Sequence, residues 1–334
     1  MIDRALPALD LLASHGSLLL AVSGGPDSVA LMLLLAHWPA RAHHEIAVAT
    51  VDHGLRQGSA AEAEQVGGWA GALGFRHHLL KWEGEKPTTR IQERARAARY
   101  ALLADCAKRI GADAIVTAHH ADDQAETILF RLTRGSGVSG LAGMAARARC
   151  GDIDLLRPLL GLRKSALIEI CEAAGRPYVT DPSNADDAYA RVRLRKLAPA
   201  LERLGLDADA LLRLGARAAR ASEALDACAA TLRARAVLEA GSEATRFDAA
   251  ALREAPLELV QRLLAVEIAR LAPGAQLRLE RLERAALRLS EALADGRNLR
   301  ITLAGLVLDA GPAAVALRPA PPRRIPAPEA AEGS

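Results

Sequence analysis

The first half of the chain alternates short apolar runs with longer segments of helical periodicity, and this alternation restricts the fold more than any other feature. The predicted strands are 18–22, 46–51, 77–80 and 114–118, and the helices that follow them are 27–37, 60–73, 91–110 and 122–132. Strands joined by helices in this way build a doubly wound, mainly parallel α/β sheet. Because ligands bind beyond the carboxyl ends of such strands, we expect the functional residues there.

The second half lacks this alternation and reads as helices with apolar faces from 208 to 293, followed by a short β-hairpin over 299–317. Only 3% of the residues are aromatic, so the core must consist of Ala, Leu and Val, which favours helix. We predict a first domain over 1–205 and a small, mainly helical second domain over 206–318. The segment 319–334, rich in Pro, Ala and Glu, is predicted to be disordered.

Charge and cysteine usage exclude several classes of protein. The net charge of +3 is too small to identify a nucleic-acid binder by itself. The four cysteines are widely spaced and contain no CxxC pair, which argues against a disulfide framework or a zinc site and fits a reducing cytoplasm. No basic, apolar leader begins the chain, and no run reaches the roughly 18 apolar residues of a membrane span. We therefore expect a cytoplasmic protein without a membrane partner.

A polar, glycine-containing loop lies directly between the first strand and its helix: Ser23-Gly24-Gly25-Pro26-Asp27-Ser28. Gly24 and Gly25 let backbone N–H groups approach a ligand, and the helix N-terminus adds a site for phosphate oxygens. Asp27 would repel phosphate unless it held a bridging Mg²⁺. The loop lacks the lysine of a Walker A motif. The alternative is an ordinary strand–helix turn in which Asp27 and Ser28 are N-terminal helix residues.

Two further clusters follow later strands or occupy the next helices. Arg96, Arg99 and Tyr100 fall on one face of a predicted helix, where two fixed cations beside a phosphate site would suit developing negative charge. Asp123 and Glu126 share a helical face and could seat an ammonium group. The alternatives are solvated arginines for the first cluster and acids that complement a helix dipole for the second.

The loop resembles the SGGxDS signature of the PP-loop ATP pyrophosphatases. Several other segments are similar to the tRNA(Ile)-lysidine synthetases within that family: Val51-Asp52-His53-Gly54-Leu55-Arg56, Ala95–Tyr100, Ala118–Thr127, Arg134–Met144, Arg157–Leu160 and Asp181-Pro182-Ser183-Asn184. The resemblance covers about residues 18–205. It implies that 1–205 form the catalytic domain and that 206–318 form a substrate-binding or tRNA-binding domain. It implies that ATP is split between its α and β phosphates, that His53 borders the adenosine, and that His119, Asp123 and Glu126 line the lysine and reaction site.

A basic segment near the end of the first predicted domain is a candidate RNA-binding site. It holds Arg191, Arg193, Arg195 and Lys196 with no acid between them. Such a cluster suits contacts to a phosphate backbone, although a solvated helix face would look the same. Val192 stands where the lysidine synthetases usually have Asn, which weakens any prediction of a polar contact at that position.

The resemblance implies adenylation of the C2 oxygen of the wobble cytidine in an isoleucine tRNA with a CAU anticodon, followed by attack of the ε-amine of free lysine. ATP and Mg²⁺ are the expected cofactors. The predicted catalytic residues are Asp27, Arg99, His119, Asp123 and Glu126. His119 is a candidate base because the ordinary pKa of histidine lies near neutrality, but His120 could be the base instead. Whether the protein forms a homodimer also stays open.

Two alternatives stay open at this level. A PP-loop tRNA thiolase would share the adenylation step but deliver sulfur, and the lack of a CxxC pair counts against it. A tRNA-binding or nucleotide-binding protein without catalysis would share the fold, and the presence of Asp27, Arg99, Asp123 and Glu126 counts against that.

Overall fold

The computed structural model describes residues 1–54, 58–84, 86, 89, 91–179 and 190–321, without the side chains of residues 190–192. The chain divides into two compact units, Met1–Ala219 and Arg220–Ser334. The domain boundaries at 205 and 318 stay predictions. The motif over 181–184, residues 55–56 of the motif that contains His53, and most of the segment 319–334 lie outside the described residues.

The first unit contains a six-stranded sheet in the order β3-β2-β1-β4-β6-β5. Its strands are β1 (Ser17–Ala21), β2 (Glu45–Asp52), β3 (Arg76–Lys81), β4 (Ala114–Val116), β5 (Arg147–Cys150) and β6 (Ile153–Leu156). All pairs are parallel except β5 with β6. The predicted doubly wound parallel sheet is therefore confirmed, with an antiparallel edge strand that the sequence analysis did not identify.

Helices cover this sheet and bury its apolar residues. Those of the first unit are α1 (Ile2–Ala5), α2 (Pro26–Ala36), α3 (Ser59–Ala72), α4 (Ile91–Ile110), α5 (Ala121–Leu132), α6 (Val138–Leu141), α7 (Lys164–Ala173) and α8 (Ala190–Arg203), and α9 (Ala208–Ala236) begins there. The centre of β1 is fully buried at Leu18, Leu19 and Leu20, as its continuous apolar sequence requires. Helix α2 is buried along most of its length, which fixes the position of the loop that precedes it.

The order of the strands explains where a ligand can bind. Strand β1 pairs with β2 on one side and with β4 on the other, so that Leu18 lies opposite both Ile46 and Ala114. Successive connections therefore leave β1 in opposite directions, which opens a crevice at the carboxyl ends of these strands. The polar segments that follow β1, β2 and β4 meet at this crevice.

The second unit combines helices with a five-stranded antiparallel sheet in the order β7-β8-β11-β10-β9. Its elements are β7 (Val237–Ala240), β8 (Thr245–Asp248), α10 (Ala249–Arg253), α11 (Leu257–Leu271), α12 (Leu279–Ala294), β9 (Leu299–Leu303), β10 (Leu306–Ala310) and β11 (Ala314–Pro319). The predicted hairpin corresponds to β9–β11. Strands β7 and β8 lie within a region predicted to be helical, and the buried Phe247 shows that tertiary packing decides their conformation.

No helix among the described residues has the length and apolar character needed to cross a membrane.

Candidate functional site

A cavity of about 680 Å³ lies at the carboxyl ends of β1, β2 and β4. Eight of the predicted site residues line it: Ser23, Gly25, Asp27, Ser28, His53, Arg99, His119 and Asp123. Gly24 and Pro26 belong to the same loop, and Glu126 lies one helical turn beyond Asp123. The fold thus brings the phosphate loop and the acidic cluster, which are far apart in sequence, to one cavity.

The loop after β1 requires glycine at its second position. Gly24 has a φ of +89°, and a Cβ atom there would lie 3.2 Å from the side chains of Val66 and Val179. The backbone N–H of Val179 donates a 2.8 Å hydrogen bond to the Gly24 carbonyl. Packing and backbone conformation therefore both exclude a side chain, and the loop is held against the segment that leads to residue 179.

Ser28 stabilises the loop from inside. Its hydroxyl donates to the Gly25 carbonyl at 2.9 Å and accepts from the Ser23 N–H at 3.2 Å. Since Ser28 is only 5% exposed, both groups are satisfied within the protein. The Ser28 hydroxyl is therefore used to close the loop.

Asp27 lies in the first turn of α2 and carries an unsatisfied carboxylate oxygen. Its Oδ2 lies 3.5 Å from Nε2 of His120 and 3.9 Å from Nζ of Lys164. Its Oδ1 is buried and has no hydrogen-bond partner among the described residues. A buried carboxylate oxygen beside a phosphate-binding loop fits the oxygen ligation of Mg²⁺, which commonly uses one or two carboxylates together with substrate phosphates.

His120 is the centre of the acidic cluster. It caps the N-terminus of α5 by accepting the Asp123 N–H at its Nδ1, and its backbone N–H donates to the Asp123 carboxylate. Carboxylate oxygens of Asp27, Asp122 and Asp123 lie 3.5, 3.6 and 3.5 Å from its ring nitrogens. The predictions left the role of His120 open, although a histidine immediately before two acids at a helix start was the signal for it.

The pKa values of this cluster reflect burial and charge together. Burial alone lowers the pKa of His120, but the hydrogen bond to Asp27 and the charges of Asp123, Asp27 and Asp122 outweigh it and raise the pKa above its ordinary value. Burial raises the pKa of Asp123, with further contributions from Glu126 and Asp27, despite the opposing interaction with His120. Three carboxylates thus share one imidazole, and Oδ1 of Asp27 stays without a hydrogen-bond partner among the described residues, so the cluster can accept an added cation.

His119 lines the cavity beside this cluster. Thr117, which directly follows β4, places its hydroxyl 2.9 Å from Nδ1 of His119. This hydrogen bond fixes the orientation of the imidazole ring at the wall of the cavity. His119 thus faces the cavity, whereas His120 is only 3% exposed and is held by its neighbours.

The opposite wall of the cavity carries Arg96 and Arg99 on α4. Their guanidinium carbons lie 5.0 and 5.3 Å from the centre of the Tyr100 ring, so the predicted face of the helix is present. His53 follows β2 and packs its ring at 90° to that of Trp82. Burial and the charges of Arg99 and Lys86 lower the pKa of His53 despite Asp52, and its buried Nδ1 has no hydrogen-bond partner among the described residues.

Glu126 is paired with Arg195 of α8. The Nε and Nη2 atoms of Arg195 donate to the two carboxylate oxygens at 2.5 and 3.0 Å, a bidentate arrangement. This hydrogen bond raises the pKa of Arg195 despite burial, and the charges of Glu126, Asp123 and Asp27 contribute further. The structure thus brings together a residue predicted to bind lysine and one predicted to bind RNA. The side chain of Arg191 lies outside the described residues.

Lys164, at the start of α7, lies close to the acidic cluster but was not among the predicted site residues. Its backbone N–H donates to Oδ2 of Asp122 at 2.8 Å, and Arg163 approaches the other oxygen of Asp122 at 3.4 Å. These contacts connect the start of α7 to the start of α5. They place the Lys164 ammonium 3.9 Å from Oδ2 of Asp27.

Comparisons with known proteins agree with this geometry. The family model of the PP-loop domain matches residues 3–201. A tRNA(Ile)-lysidine synthase of Methylobacterium sp. (strain 4-46) is 49% identical over 325 residues, which is 96% of this chain and 94% of the relative. A tRNA(Ile)-lysidine synthase of Methylobacterium nodulans is 48% identical over 313 residues, or 92% of each chain.

Among solved structures, the U34-tRNA thiolase NcsA from Methanococcus maripaludis, with its [4Fe-4S] cluster, superposes with a TM-score of 0.55 at 15% identity, over 65% of this chain and 78% of that chain. At this identity the likeness concerns the fold alone. The family model and the relatives extend over most of the chain, and they include the phosphate loop and the acidic cluster. The chain therefore belongs to the PP-loop proteins and, within them, to the tRNA(Ile)-lysidine synthase family.

Proposed function

We propose that this chain ligates free lysine to the C2 position of the wobble cytidine in an isoleucine tRNA with a CAU anticodon, with consumption of ATP to AMP and pyrophosphate. The observation that carries the proposal is a single cavity that joins a phosphate loop, two arginines and an excess of carboxylates. This combination provides a seat for ATP and a seat for a cationic nucleophile within reach of each other.

In the first step the C2 oxygen of the cytidine attacks the α-phosphorus of ATP, and the bond to pyrophosphate breaks. Backbone N–H groups of the loop and the N-terminus of α2 bind phosphate oxygens. Arg99 and Lys164 stabilise the negative charge of the departing pyrophosphate. The orphan Oδ1 of Asp27 would hold Mg²⁺, which when bound neutralises phosphate charge. His53, neutral at physiological pH because its pKa is lowered, offers Nδ1 to the adenine base.

In the second step the lysine nitrogen attacks C2, and the bond between C2 and the oxygen of AMP breaks. Asp123 and Glu126 bind the ε-ammonium group before it loses its proton. We assign that proton to His119, which lines the cavity and is oriented by Thr117. His120 keeps the carboxylates in place and is a positioning residue.

The Arg195–Glu126 pair makes lysine entry dependent on a displacement. A lysine ammonium that reaches Glu126 must replace the guanidinium of Arg195. A tRNA phosphate near α8 would offer Arg195 a new partner, so that RNA binding would favour lysine binding. In this proposal Arg193, Arg195 and Lys196 contact the RNA backbone. The four cysteines are free, which supports a cytoplasmic location for the reaction.

The proposal is tested by incubating the purified protein with ATP, radiolabelled lysine and an isoleucine tRNA with a CAU anticodon. We expect label in the tRNA and one pyrophosphate released for each lysine incorporated. The matched control is the same tRNA with uridine in place of the wobble cytidine, which should accept no label. Pyrophosphate release without lysine incorporation would contradict the second step and favour another nucleophile.

A further inference from the structure

Part of the cavity in the first unit is apolar. Ala21 at the end of β1, Ala49 and Val51 of β2, and Leu103 of α4 line it and pack in one hydrophobic cluster. The purine ring is the flat, weakly polar part of ATP, so this part of the cavity suits the base. Side chains alternate along a strand, so His53, two residues after Val51, follows on the same face and brings a polar ring to the apolar wall.

The contacts of His53 hold its ring in one orientation. The ring centre lies 5.9 Å from that of Trp82, with the two planes at 90°. The backbone N–H of Trp82 donates a 2.9 Å hydrogen bond to the Asp52 carbonyl, which fixes Trp82 beside the end of β2. The carboxylate of Asp52 accepts from the Gly54 N–H at 2.9 Å and from the Ser59 hydroxyl at 2.6 Å. An aromatic neighbour and a hydrogen-bonded turn therefore fix His53 from two sides.

Lys86 adds a positive charge to this arrangement. Its Nζ lies 4.5 Å from the centre of the Trp82 ring and donates to the Trp82 carbonyl. Burial and the charges of Arg99 and Lys86 keep the pKa of His53 below its ordinary value, against the opposing charge of Asp52. The imidazole is therefore neutral at neutral pH, and one of its nitrogens is an acceptor. Its Nδ1 is buried without a hydrogen-bond partner among the described residues.

We propose that His53 selects adenine over 6-oxopurines, and that Trp82 and Lys86 hold it in the state that makes this selection. The inference rests on the proposed function, because it takes ATP from it. With the ring proton on Nε2, Nδ1 accepts a hydrogen bond from the 6-amino group of adenine. Hypoxanthine and guanine carry an oxygen at that position, so two acceptors would face each other. Trp82 and Lys86 act through His53 and are positioning residues.

The test measures the Kd values of ATP and ITP by isothermal titration calorimetry, without tRNA or lysine. ITP differs from ATP only in its 6-oxo group and the proton on N1. Trp82→Leu removes the aromatic ring beside His53, whereas Trp82→Phe keeps one. Trp69→Leu is the matched control, because Trp69 of α3 packs against the hydrophobic core and is not among the residues that line the cavity. Circular dichroism checks that the variants fold.

We expect the parent to bind ATP at least about tenfold more tightly than ITP, since ITP leaves a buried acceptor unpaired. Trp82→Leu should reduce this preference to less than about threefold, mainly by weakening ATP, while Trp82→Phe and Trp69→Leu should keep it. Equal binding of ATP and ITP by the parent would overturn the proposal, and so would an unchanged preference in Trp82→Leu. A parent that binds neither nucleotide would defeat the proposed function itself, and this inference with it.

Lys86 gives a second readout, the pH dependence of the same preference. Protonated His53 cannot accept from a 6-amino group but can donate to a 6-oxo group, so the preference for ATP should decrease as the pH falls through the pKa of His53. The charged groups around the ring are Asp52, Lys86 and Arg99. Lys86→Met removes one cation, so the decrease should begin at a higher pH than in the parent, whereas Lys86→Arg should behave as the parent does. A preference that is independent of pH, or identical profiles for the parent and Lys86→Met, would overturn the proposal.

Discussion

Two clusters of charged residues, one in each unit, are built on opposite principles. Around His120, carboxylate oxygens of Asp27, Asp122 and Asp123 lie within 3.6 Å of one imidazole ring, and Oδ1 of Asp27 has no hydrogen-bond partner among the described residues. In the second unit a single buried acid, Glu267, is surrounded by donors. An unsatisfied carboxylate oxygen in a cavity leaves capacity for an added cation, whereas a carboxylate whose two oxygens both accept hydrogen bonds leaves none.

The Glu267 cluster is fully satisfied. Arg233 donates to one carboxylate oxygen at 2.5 Å, and Thr245 and Arg270 donate to the other at 2.7 and 2.9 Å. Burial alone raises the pKa of Glu267, but these hydrogen bonds and the charge of Arg233 outweigh it and lower the pKa below its ordinary value. The carboxylate connects α9, β8 and α11. We therefore interpret this cluster as structural and the His120 cluster as functional.

The largest expected effect tests the functional cluster. If Asp27 holds the proposed Mg²⁺, Asp27→Ala should slow pyrophosphate release by at least about a thousandfold, since loss of a metal ligand removes several kcal/mol of transition-state stabilisation. Oδ1 is unsatisfied in the folded protein, but the variant also loses the contacts of Oδ2 with His120 and Lys164, so the free energy of unfolding should fall only by about 1–2 kcal/mol. Asp27→Asn, which keeps the shape and removes the charge, should be equally slow. Near-normal release in either variant would mean that the cluster is structural after all.

The second prediction concerns the structural cluster. Glu267→Ala should lower the free energy of unfolding by about 2–4 kcal/mol, somewhat less than for a fully buried pair because the two arginines can be hydrated. All three tryptophans, Trp38, Trp69 and Trp82, belong to the first unit. Circular dichroism should therefore detect earlier urea unfolding of the second unit, while tryptophan fluorescence should change less. A shift only in the fluorescence transition would contradict this assignment.

A third prediction separates binding from structure at Glu126. Glu126→Ala should raise the KM for lysine by about 10-fold to 100-fold, the value of a lost hydrogen bond to a charged group, and raise the KM for ATP much less. Arg195→Ala is the control, because it leaves the Glu126 carboxylate accessible and should not raise the KM for lysine. If Glu126→Ala raised the KM values for lysine and ATP equally, and if Arg195→Ala lost as much stability as Glu126→Ala, the pair would have a structural role like that of the Glu267 cluster.

The smallest expected effect is a pH dependence. The folded pKa of His120 lies above the unfolded value near 6.5, so its contribution to stability is fully present below pH 6.5 and is lost as the pH rises through the folded value. His120→Asn keeps a residue suited to the N-cap position but cannot titrate. The stability advantage of the parent over this variant, measured by urea unfolding with tryptophan fluorescence, should therefore decrease from pH 6.5 upward. An advantage that grows with pH would contradict the raised pKa.

Glu267 should give the opposite pH dependence, a loss of stability of the second unit as the pH falls. The folded pKa of Glu267 lies below its ordinary value of 4.5, so its contribution is present above that pH and is lost as the pH falls through the folded value. Glu267→Gln should remove this acid dependence from the unfolding of the second unit, followed by circular dichroism. If the parent and the variant lost stability equally as the pH fell, the Glu267 carboxylate would not be stabilised in the folded state.

The strands and helices that could be predicted are those that depend on the pattern of neighbouring residues in the sequence. The first four strands and the helices between them follow apolar runs and helical periodicity, so their observed bounds agree with the prediction within a few residues. Strands β7 and β8 were not predicted, because Phe247 becomes a strand residue only by packing into the core of the second unit. The lining of the cavity by Asp27, His119 and Asp123 could be expected from the ends of parallel strands.

Contacts between distant segments were beyond the reach of sequence patterns. Glu126 of α5 pairs with Arg195 of α8, and the two residues are 69 positions apart in the sequence. Neither helical periodicity nor motif spacing carries information about such a distance. The proximity of Lys164 to Asp27 arises in the same way, from the packing of α7 beside α2. Because each role was predicted from one segment of the sequence, residues that contact each other in the fold were given unrelated roles.

The buried thiol below the phosphate loop has a consequence for chemical modification. Cys171 lies against the Pro26 carbonyl, with its Sγ at 3.4 Å, and burial together with the charges of Asp27 and Glu172 raises its pKa to about 11. At neutral pH only about one molecule in ten thousand then carries the reactive thiolate. Alkylating reagents and oxidants should spare this wall of the site. Of the four cysteines only Cys228 is exposed, so a maleimide dye should label the protein at one position and leave the loop unmodified.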